Sequence, residues 1–465
     1  MKDDVSVDRH LDTAPALTDD ARMKLGSSAR AGIFVPALGS GRGRSGATDT
    51  QRTHDARLAE ITGLSAAIQL EQITAQIVSV PQTRPATLFG PGKVEDLAAL
   101  IHDHEIEVAV VDHPLSPVQQ RNLERAWKCK VLDRTGLILE IFGARAQTRE
   151  GTLQVELAHL DYQKSRLVRS WTHLERQRGG VGFLGGPGER QIESDRRQLQ
   201  TRIDAIRKEL SAVSRTRELH RAGRRRVPYP IVALVGYTNA GKSTLFNRLT
   251  GAEVHAEDQL FATLDPTMRE VRLPSGRKII LSDTVGFISE LPTTLIAAFR
   301  ATLEEVLEAH IILHVRDITH DDTEAQRNDV LAVMKELGID SEAPDRPIVE
   351  VWNKADLLNV AKREIHANTL ARQKNGPVLL SALTGEGKED LFSRIDAILA
   401  EADHDLHLRI APEHGALMHW LYEHGDVLER ADADDGMMQL TVRLSTANAE
   451  RLRAKIETPS RELVE

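Results

Sequence analysis

The most constraining feature of the sequence is a glycine-rich turn between an apolar run and a helical pattern. IVALVG leads into Gly236-x-x-x-x-Gly241-Lys242-Ser243, and KSTLFNRL follows. Polyphosphate binding requires glycines that let the backbone wrap an anion, a helix N-terminus directed at it, a lysine for the β- and γ-phosphates and a hydroxyl for Mg²⁺. The sequence therefore predicts a nucleoside triphosphate site between a buried strand and a helix. The residues assigned to this phosphate loop are Gly236, Tyr237, Thr238, Asn239, Ala240, Gly241, Lys242, Ser243 and Thr244.

A second motif, Asn353-Lys354-Ala355-Asp356, follows the apolar strand PIVEVW and predicts the choice of base. Guanine presents its N1–H and 2-amino groups as adjacent donors, and one carboxylate can accept both, whereas adenine has no matching donors. We assign this bidentate role to Asp356. We expect Asn353 to fix the loop and contact the base, and the stem of Lys354 to cover the face of the base.

The strand PVLLSAL delivers a third segment, whose backbone can support the guanine oxygen. Its assigned residues are Ser381, Ala382 and Leu383. The phosphate loop alone does not separate ATP from GTP, but the three motifs in this order predict a guanine nucleotide.

Two segments between these motifs are expected to sense the γ-phosphate. KIILSD delivers Asp283 to the Mg²⁺ hydration shell, and the backbone N–H of Gly286 can then reach the γ-phosphate. Upstream, the Thr263 hydroxyl could coordinate Mg²⁺ only when the triphosphate is bound, and Thr267 is the rival candidate. Loss of the γ-phosphate would free both segments. The residues assigned to them are Phe261, Ala262, Thr263, Leu264, Asp265, Asp283, Thr284, Val285 and Gly286.

Three residues are assigned to catalysis and two to the metal. Lys242, Thr263 and Gly286 form the catalytic set, and Ser243 and Thr263 are the Mg²⁺ ligands. Phe287 stands where many such enzymes place a glutamine that orients the attacking water. Because a phenyl ring cannot do this by hydrogen bonding, we expect slow intrinsic turnover unless a partner orders the site. Asn239 either helps to position a monovalent cation or only stabilises the loop.

The pattern of short apolar runs and helical segments predicts an α/β protein of several domains. The GTPase-like domain is expected to have a parallel-rich sheet with helices on both faces. An N-terminal α/β domain with a helical arm precedes it, and a small α/β appendage of helix, strand and helix follows. The loop predicted at 39–57 lies in the N-terminal part. The predicted segments are a disordered tail (1–29), the N-terminal α/β domain (30–158), the helical arm with a glycine-rich loop (159–226), the GTPase domain (227–402) and the C-terminal domain (403–465).

Composition and the N-terminal sequence indicate the cellular location of the chain. The hydrophobic fraction is 41% and no run approaches the ~18 apolar residues that span a bilayer. The polar N-terminus lacks the order of a signal peptide, and the single cysteine, Cys129, excludes an intrachain disulfide. We therefore expect a cytoplasmic protein without integral membrane insertion, and we leave peripheral membrane association open. Nothing in the sequence demands more than a monomer.

The formal net charge of -9 excludes an all-over basic coat, but one stretch is basic. Between Arg202 and Arg226 there are nine basic residues and three acidic ones. Such a stripe can neutralise RNA phosphates, which makes binding sensitive to salt. The alternative is a solvated helix surface without a partner.

At this point the sequence resembles a known family, the HflX-type GTPases, a branch of the translation-factor-related group. The resemblance spans roughly residues 30–402 through segments such as RPATLFGPGKVEDL, GGVGFLGGPGERQIE, GYTNAGKSTLFN, DQLFATLDPT, DTVGFI and NKAD. It implies binding to the large ribosomal subunit and its RNA, splitting or rescue of stalled ribosomes, and release on GTP hydrolysis to GDP. It also implies Lys242, Ser243 and Thr263 as triphosphate and Mg²⁺ ligands.

Two other classes of function remain as alternatives. One is a P-loop enzyme that acts directly on RNA, by remodelling helices or assisting tRNA modification. The other is a purely protein-directed switch, which would need no basic arm. The absence of a second catalytic constellation in the sequence disfavours the modification enzyme.

Overall fold

The computed structural model describes residues 29–39, 53–146, 148–177, 187–224, 229–251, 267–289, 305–339, 346–370, 372–373, 376–401, 403–411, 413–432, 437–444 and 446–457. The chain divides into two compact units, Met1–Arg145 with Val155–Ile203, and Ala146–Gln154 with Asp204–Glu465. The tail predicted at 1–29 lies outside the described residues, apart from Ala29, which is buried. None of the described helices combines the length and apolarity needed to cross a membrane.

The first unit is built on a parallel four-stranded sheet in the order β2-β1-β3-β4. Its strands are β1 (Arg30–Leu38), β2 (Glu71–Val80), β3 (Val108–Val111) and β4 (Lys130–Asp133). Its first four helices are α1 (His54–Ala66), α2 (Pro91–Asp103), α3 (Pro117–Trp127) and α4 (Arg134–Arg145). Phe34, Leu123 and Trp127 belong to one buried cluster between sheet and helices.

The α/β pattern predicted for this region is confirmed, with one correction. A loop was predicted to continue to residue 57, but α1 begins at His54. The hydroxyl of Thr53 accepts a hydrogen bond from the Ala56 N–H at 3.2 Å, which satisfies one of the unpaired donors at the helix start. The local N-cap therefore overrides the polar composition that suggested a loop.

Two long helices, α5 (Arg149–Gln177) and α6 (Pro187–Arg224), each extend across the boundary between the two units. Proline suits the first turn of α6 because its missing N–H would have no helical partner there. Helix α5 begins before residue 159, where the arm was predicted to start. Of the glycine-rich loop predicted at 179–190, residues 179–186 lie outside the described residues, whereas residues 187–190 form the first turn of α6.

The N-terminal unit anchors α5 through the end of β4. The buried carboxylate of Asp133 accepts from the Tyr162 hydroxyl at 2.5 Å and from Arg166 at 2.6 Å. The Arg166 guanidinium also lies 4.1 Å from the centre of the Tyr162 ring. Charge-assisted hydrogen bonds of this kind are stronger than neutral ones, so they fix α5 on the sheet.

The second unit is built on a six-stranded sheet in the order β10-β9-β8-β5-β7-β6, in which only the β6–β7 pairing is antiparallel among the described strands. Its strands are β5 (Ile231–Gly236), β6 (Thr267–Arg272), β7 (Lys278–Asp283), β8 (Ile311–Asp317), β9 (Ile348–Asn353) and β10 (Val378–Leu379). Its helices are α7 (Lys242–Thr250), α8 (Thr323–Glu336), α9 (Val360–Leu370) and α10 (Lys388–Glu401).

Helices cover both faces of this sheet. Phe246 of α7 and Ile395 of α10 pack with Leu234 and Leu313 in one buried cluster. On the opposite face, α8 reaches β9, where Arg327 hydrogen-bonds Glu350. The predicted parallel-rich sheet with helices on both faces is therefore confirmed, although the predicted strand PVLLSAL is regular only at Val378–Leu379.

The last part of the chain forms a three-stranded antiparallel sheet in the order β11-β13-β12. Its elements are β11 (His404–Ile410), α11 (Gly415–His424), β12 (Asp426–Asp432), β13 (Met438–Leu444) and α12 (Thr446–Glu457). The prediction of helix, strand and helix contained α11, β13 and α12 but was wrong in omitting β11 and β12. Both omitted strands pair with β13, so their stability depends on long-range hydrogen bonds that the local pattern does not reveal.

Candidate nucleotide-binding site

The phosphate loop leaves β5 and enters α7 through two glycines whose conformations exclude side chains. Gly236 has φ +156°, and a Cβ atom there would lie 2.2 Å from the Val315 carbonyl oxygen. Gly241 has φ +91°, and a Cβ atom would lie 2.2 Å from the amide nitrogen of Asn353. Asn239 has φ 60°, a left-handed conformation that asparagine tolerates better than most residues. The loop therefore packs tightly against the ends of β8 and β9.

Lys242 is buried within this loop. Its ammonium group donates to the carbonyl oxygens of Gly236 at 3.1 Å and Tyr237 at 2.8 Å. Burial lowers the pKa of Lys242 to about 8, although the charge of Asp283 acts in the opposite direction. The ammonium group is thus held by two backbone carbonyls of its own loop.

The end of β7 lies beside the start of α7. The Ser243 hydroxyl donates to a carboxylate oxygen of Asp283 at 2.7 Å, and the Thr284 hydroxyl donates to the Leu234 carbonyl at 2.5 Å. Asp283 and Thr284 are fully buried, and Val285 is nearly so. The predicted metal and carboxylate residues are therefore adjacent in space although they are 40 positions apart.

Gly286 is pressed against the phosphate loop. A Cβ atom at this position would lie 2.9 Å from Cγ2 of Thr238 and 3.0 Å from Nζ of Lys242. A larger side chain would displace the lysine, so this close approach requires glycine.

Phe287 continues the contact between the two loops through its backbone. Its carbonyl accepts from the Thr238 N–H at 2.7 Å, and its N–H donates to the Gly236 carbonyl at 3.1 Å. The phenyl ring is 2% exposed, and the Ser289 N–H donates to the Tyr237 hydroxyl at 2.7 Å. Phe287 is therefore a core residue whose backbone braces the phosphate loop.

The three segments expected to recognise the nucleotide are tied together by Asn353. Its amide group donates to the Ala240 carbonyl at 2.8 Å and accepts from the Ala382 N–H at 2.9 Å. The side chain is 2% exposed. One asparagine thus links the phosphate loop to the segment after β10.

Two exposed or half-buried residues of the base motif have specific partners. Asp356 accepts from the Ser381 hydroxyl at 2.5 Å. Lys354 has φ 66°, and its ammonium group lies 2.8 Å from a carboxylate oxygen of Asp317. Burial would raise the pKa of Asp317, but the hydrogen bonds from Lys354 and Thr319 outweigh it, and the pKa lies below its usual value.

The structure brings together all the predicted site residues that it describes, and it adds two contacts. Asp317 ends β8, and Arg248 of α7 donates to the carbonyl oxygens of Ala382 and Leu383. The sequence did carry a signal for Asp317, a carboxylate at the carboxyl end of a buried strand. No sequence signal indicated Arg248.

One predicted segment cannot be placed. The residues Phe261, Ala262, Thr263, Leu264 and Asp265 lie outside the described residues. The rival candidate, Thr267, is the first residue of β6 and lies opposite Asp283 in the antiparallel pairing with β7.

Comparisons with known proteins cover most of the chain. Four family models match: "GTP-binding GTPase N-terminal" at residues 55–143, "GTP-binding GTPase Middle Region" at 145–224, "50S ribosome-binding GTPase" at 231–354 and "HflX C-terminal domain" at 367–463. Among solved structures, a GTP-binding protein from the archaeon Sulfolobus solfataricus in complex with GDP is 23% identical. That match covers 80% of this chain and 98% of that one, with a TM-score of 0.42.

Two curated relatives match over about nine-tenths of their length. The GTPase HflX of Magnetococcus marinus is 51% identical over 400 residues, which is 86% of this chain and 90% of that protein. The GTPase HflX of Escherichia coli is 42% identical over 395 residues, covering 85% of this chain and 91% of the relative. The chain belongs to the HflX family of GTPases.

Proposed function

We propose that this GTPase binds the large ribosomal subunit, splits or rescues stalled ribosomes, and leaves the subunit when GTP is hydrolysed. The observation that carries the proposal is the match of residues 231–354 to the "50S ribosome-binding GTPase" model within a chain related to HflX proteins along most of its length. On this proposal the protein acts as a monomer in the cytoplasm, where the ribosomes are.

The basic arm supports an RNA partner. Among the described side chains of α6, Lys208 is exposed, and so is Arg215. Exposed cations on one long helix can contact successive phosphates of an RNA backbone, and each contact releases counterions. The arm therefore offers a cationic surface for ribosomal RNA.

The geometry also supports the assignment of the phosphate groups. The loop backbone and the start of α7 would hold the α- and β-phosphates, and Lys242 would exchange its present carbonyl partners for β- and γ-phosphate oxygens. Gly286 lies against Lys242, so its N–H would reach the γ-phosphate. Together these groups would stabilise the charge that develops on the transferred phosphoryl group.

The residues at the end of β7 fit a magnesium ion. A serine hydroxyl and a carboxylate oxygen 2.7 Å apart are hard oxygen donors of the type that Mg²⁺ prefers. Ser243 would be a ligand, Asp283 would hold the hydration shell, and Thr263 would be the second protein ligand. Mg²⁺ bound with GTP would neutralise charge on the β- and γ-phosphates.

We assign base recognition to the loops after β9 and β10. Asp356 would accept from the N1–H and 2-amino groups of guanine, and the Ser381 hydroxyl, which donates to its carboxylate, would help to orient it. The Lys354 stem would cover the base while Asp317 holds its ammonium group. The Asn353 side chain connects the segment after β10 to the phosphate loop through its two hydrogen bonds.

Turnover in the free protein is expected to be slow. Phe287 is buried and its backbone groups are committed to the phosphate loop, so it cannot orient a water molecule. The missing water-positioning group must come from another part of the chain or from the partner. We propose that the large ribosomal subunit provides this ordering.

The experiment that tests this function is co-sedimentation of the purified protein with ribosomal subunits. We expect co-sedimentation with large subunits in the presence of a non-hydrolysable GTP analogue, and weaker binding with GDP. The double variant Lys208→Glu/Arg215→Glu should lose much of the binding, with GDP affinity unchanged. Lys335→Glu/Lys362→Glu, which reverses two exposed charges on α8 and α9 outside the arm, serves as the matched control. Binding that is absent at moderate salt, or equal for both variants, would overturn the proposal or its assignment to the arm.

A further inference from the structure

The last turn of α7 contacts the segment after β10 through one side chain. Arg248 donates from Nε to the Ala382 carbonyl oxygen at 3.1 Å and from its terminal nitrogen to the carbonyl oxygen of Leu383. A guanidinium has several donors in a fixed planar arrangement, so it can hold two successive carbonyls at once. The same helix begins at Lys242, so α7 contacts the proposed phosphate site at one end and the proposed base site at the other.

The peptide geometry determines what these contacts do. In a trans peptide unit the C=O and the following N–H point in opposite directions, and the described residues contain no cis peptide bond. Because Arg248 holds the Ala382 carbonyl toward α7, the Leu383 N–H is directed away from α7.

The neighbouring N–H groups of this segment are already used. The Ala382 N–H donates to the side-chain oxygen of Asn353 at 2.9 Å, and the Thr384 N–H donates to the Ser381 hydroxyl at 3.2 Å. Across the part of the chain that the structure describes, no group accepts from the Leu383 N–H. This segment therefore has one backbone donor without an acceptor among the described residues, two positions after Ser381, whose hydroxyl donates to the proposed guanine-binding carboxylate of Asp356.

We propose that Arg248 is a positioning residue that fixes the Leu383 N–H to donate to the 6-oxo group of guanine. The inference rests on the proposed guanine site, in which Asp356 recognises the N1–H and 2-amino groups. Arg248 itself does not touch the nucleotide. It acts by orienting two peptide units, so it contributes to the selection of the 6-oxo group and not to the selection of the 2-amino group.

Three nucleotides separate these contributions in a competition assay against a fluorescent GDP analogue. GDP carries both the 6-oxo and the 2-amino group, IDP keeps only the 6-oxo group, and 6-thio-GDP replaces the oxygen with sulfur, a weak acceptor. For Arg248→Ala we expect GDP and IDP to bind about 3- to 10-fold more weakly, as for the loss of one hydrogen bond. The affinity for 6-thio-GDP should change by less than about 2-fold.

Two further variants make the assay decisive. Arg248→Lys keeps the charge but not the planar pair of donors, so it should show the same pattern to a smaller degree. If circular dichroism shows that Arg248→Ala does not fold, Arg248→Lys replaces it in the competition assay. Asp356→Asn should instead reduce the preference for GDP over IDP.

Equal weakening of all three nucleotides by the Arg248 variants would show a general loss of loop structure and overturn the proposal. Unchanged GDP binding, or a wild-type protein that binds GDP and 6-thio-GDP alike, would also overturn it. A wild-type protein that binds GDP no better than IDP would instead refute the assignment of the guanine site, which is a separate result.

Discussion

At the scale of single residues, the charge state of Lys242 links nucleotide binding to pH. The ammonium group is buried among backbone carbonyls, and its pKa is lowered to about 8. A bound polyphosphate places negative charge beside it and raises the pKa, because an opposite charge favours the ionised form. Above pH 8 the free protein is expected to lose this proton more readily than the complex, and binding should then be accompanied by proton uptake.

We therefore expect the affinity for GDP to fall as the pH rises above about 8, approaching a tenfold loss per pH unit while the bound lysine stays protonated. Below that pH the affinity should level off. Isothermal titration calorimetry in buffers of different ionisation enthalpy, between pH 7 and 9, measures both the affinity and the proton uptake. A constant affinity across this range without proton uptake would contradict the prediction.

Asp356 provides the second prediction at this scale. Asp356→Asn replaces one of two acceptor oxygens with an N–H donor, which opposes the guanine 2-amino group. We expect GTP to bind more than about tenfold more weakly, because hydrogen bonds to charged groups contribute about 1.5–3 kcal/mol each. Xanthosine nucleotides, which have an oxo group at the same position, should bind more tightly to the variant than to the wild type. Unchanged GTP affinity would refute the assignment of this residue.

At the scale of secondary-structure elements, a buried ionic network joins β8, β9 and α8. Arg316 of β8 is almost completely buried and donates to Glu350 of β9 at 2.7 Å, and Arg327 of α8 donates to the other carboxylate oxygen. Burial alone would raise the pKa of Glu350, but the two arginines lower it to about 2. His314 lies beside Glu350 in the strand pairing, and burial lowers its pKa to about 3, so it stays neutral.

This network fixes β9 immediately before the base motif, and its loss should be measurable as stability. Glu350→Gln removes the carboxylate that Arg316 and Arg327 share and leaves Arg316 paired with Glu324, so we expect the free energy of unfolding at pH 7 to fall by about 2 kcal/mol. Because the folded pKa of Glu350 lies below its ordinary value of 4.5, its contribution is present above that pH and lost as the pH falls toward 2. Urea unfolding at pH 7 and at pH 4 should therefore show a smaller difference between wild type and variant at the lower pH. Equal stability at pH 7 would contradict this account.

The elements also show what the sequence alone could predict. IVALVG, KIILSD and PIVEVW correspond to β5, β7 and β9 because each is a short apolar run bounded by motif residues. Strand β12 could not be predicted, since DVLERAD has no clear alternation and its pairing with β13 is irregular between Val427 and Glu429. Its hydrogen bonds are made with β13, which lies later in the sequence.

In the predicted site, too, local features could be predicted from the sequence and long-range contacts could not. The spacing of the phosphate loop is local, so it could be read directly from consecutive residues. The contact between Asn353 and Ala382, the ion pair between Lys354 and Asp317 and the position of Arg248 depend on which strands are neighbours. Strand order is a property of the whole sheet, and no local pattern specifies it.

At the scale of the whole molecule, we propose that a nucleotide site with slow intrinsic turnover is combined with a surface for RNA. The described part of the site contains the groups proposed to hold the phosphates and the base, but Phe287 occupies the position of a water-orienting residue. The exposed cations of α6 lie in a different part of the chain. Binding of a large RNA-containing partner is therefore the event expected to complete the catalytic arrangement.

The measurement that tests this claim most directly is the rate of GTP hydrolysis with and without purified large ribosomal subunits. We expect slow turnover by the free protein and an increase of at least about tenfold with large subunits, which corresponds to about 1.4 kcal/mol of barrier lowering. Small subunits should have little effect, and the Lys208→Glu/Arg215→Glu variant should respond only at higher subunit concentrations. Equal rates with and without large subunits, at concentrations where co-sedimentation shows binding, would contradict the account.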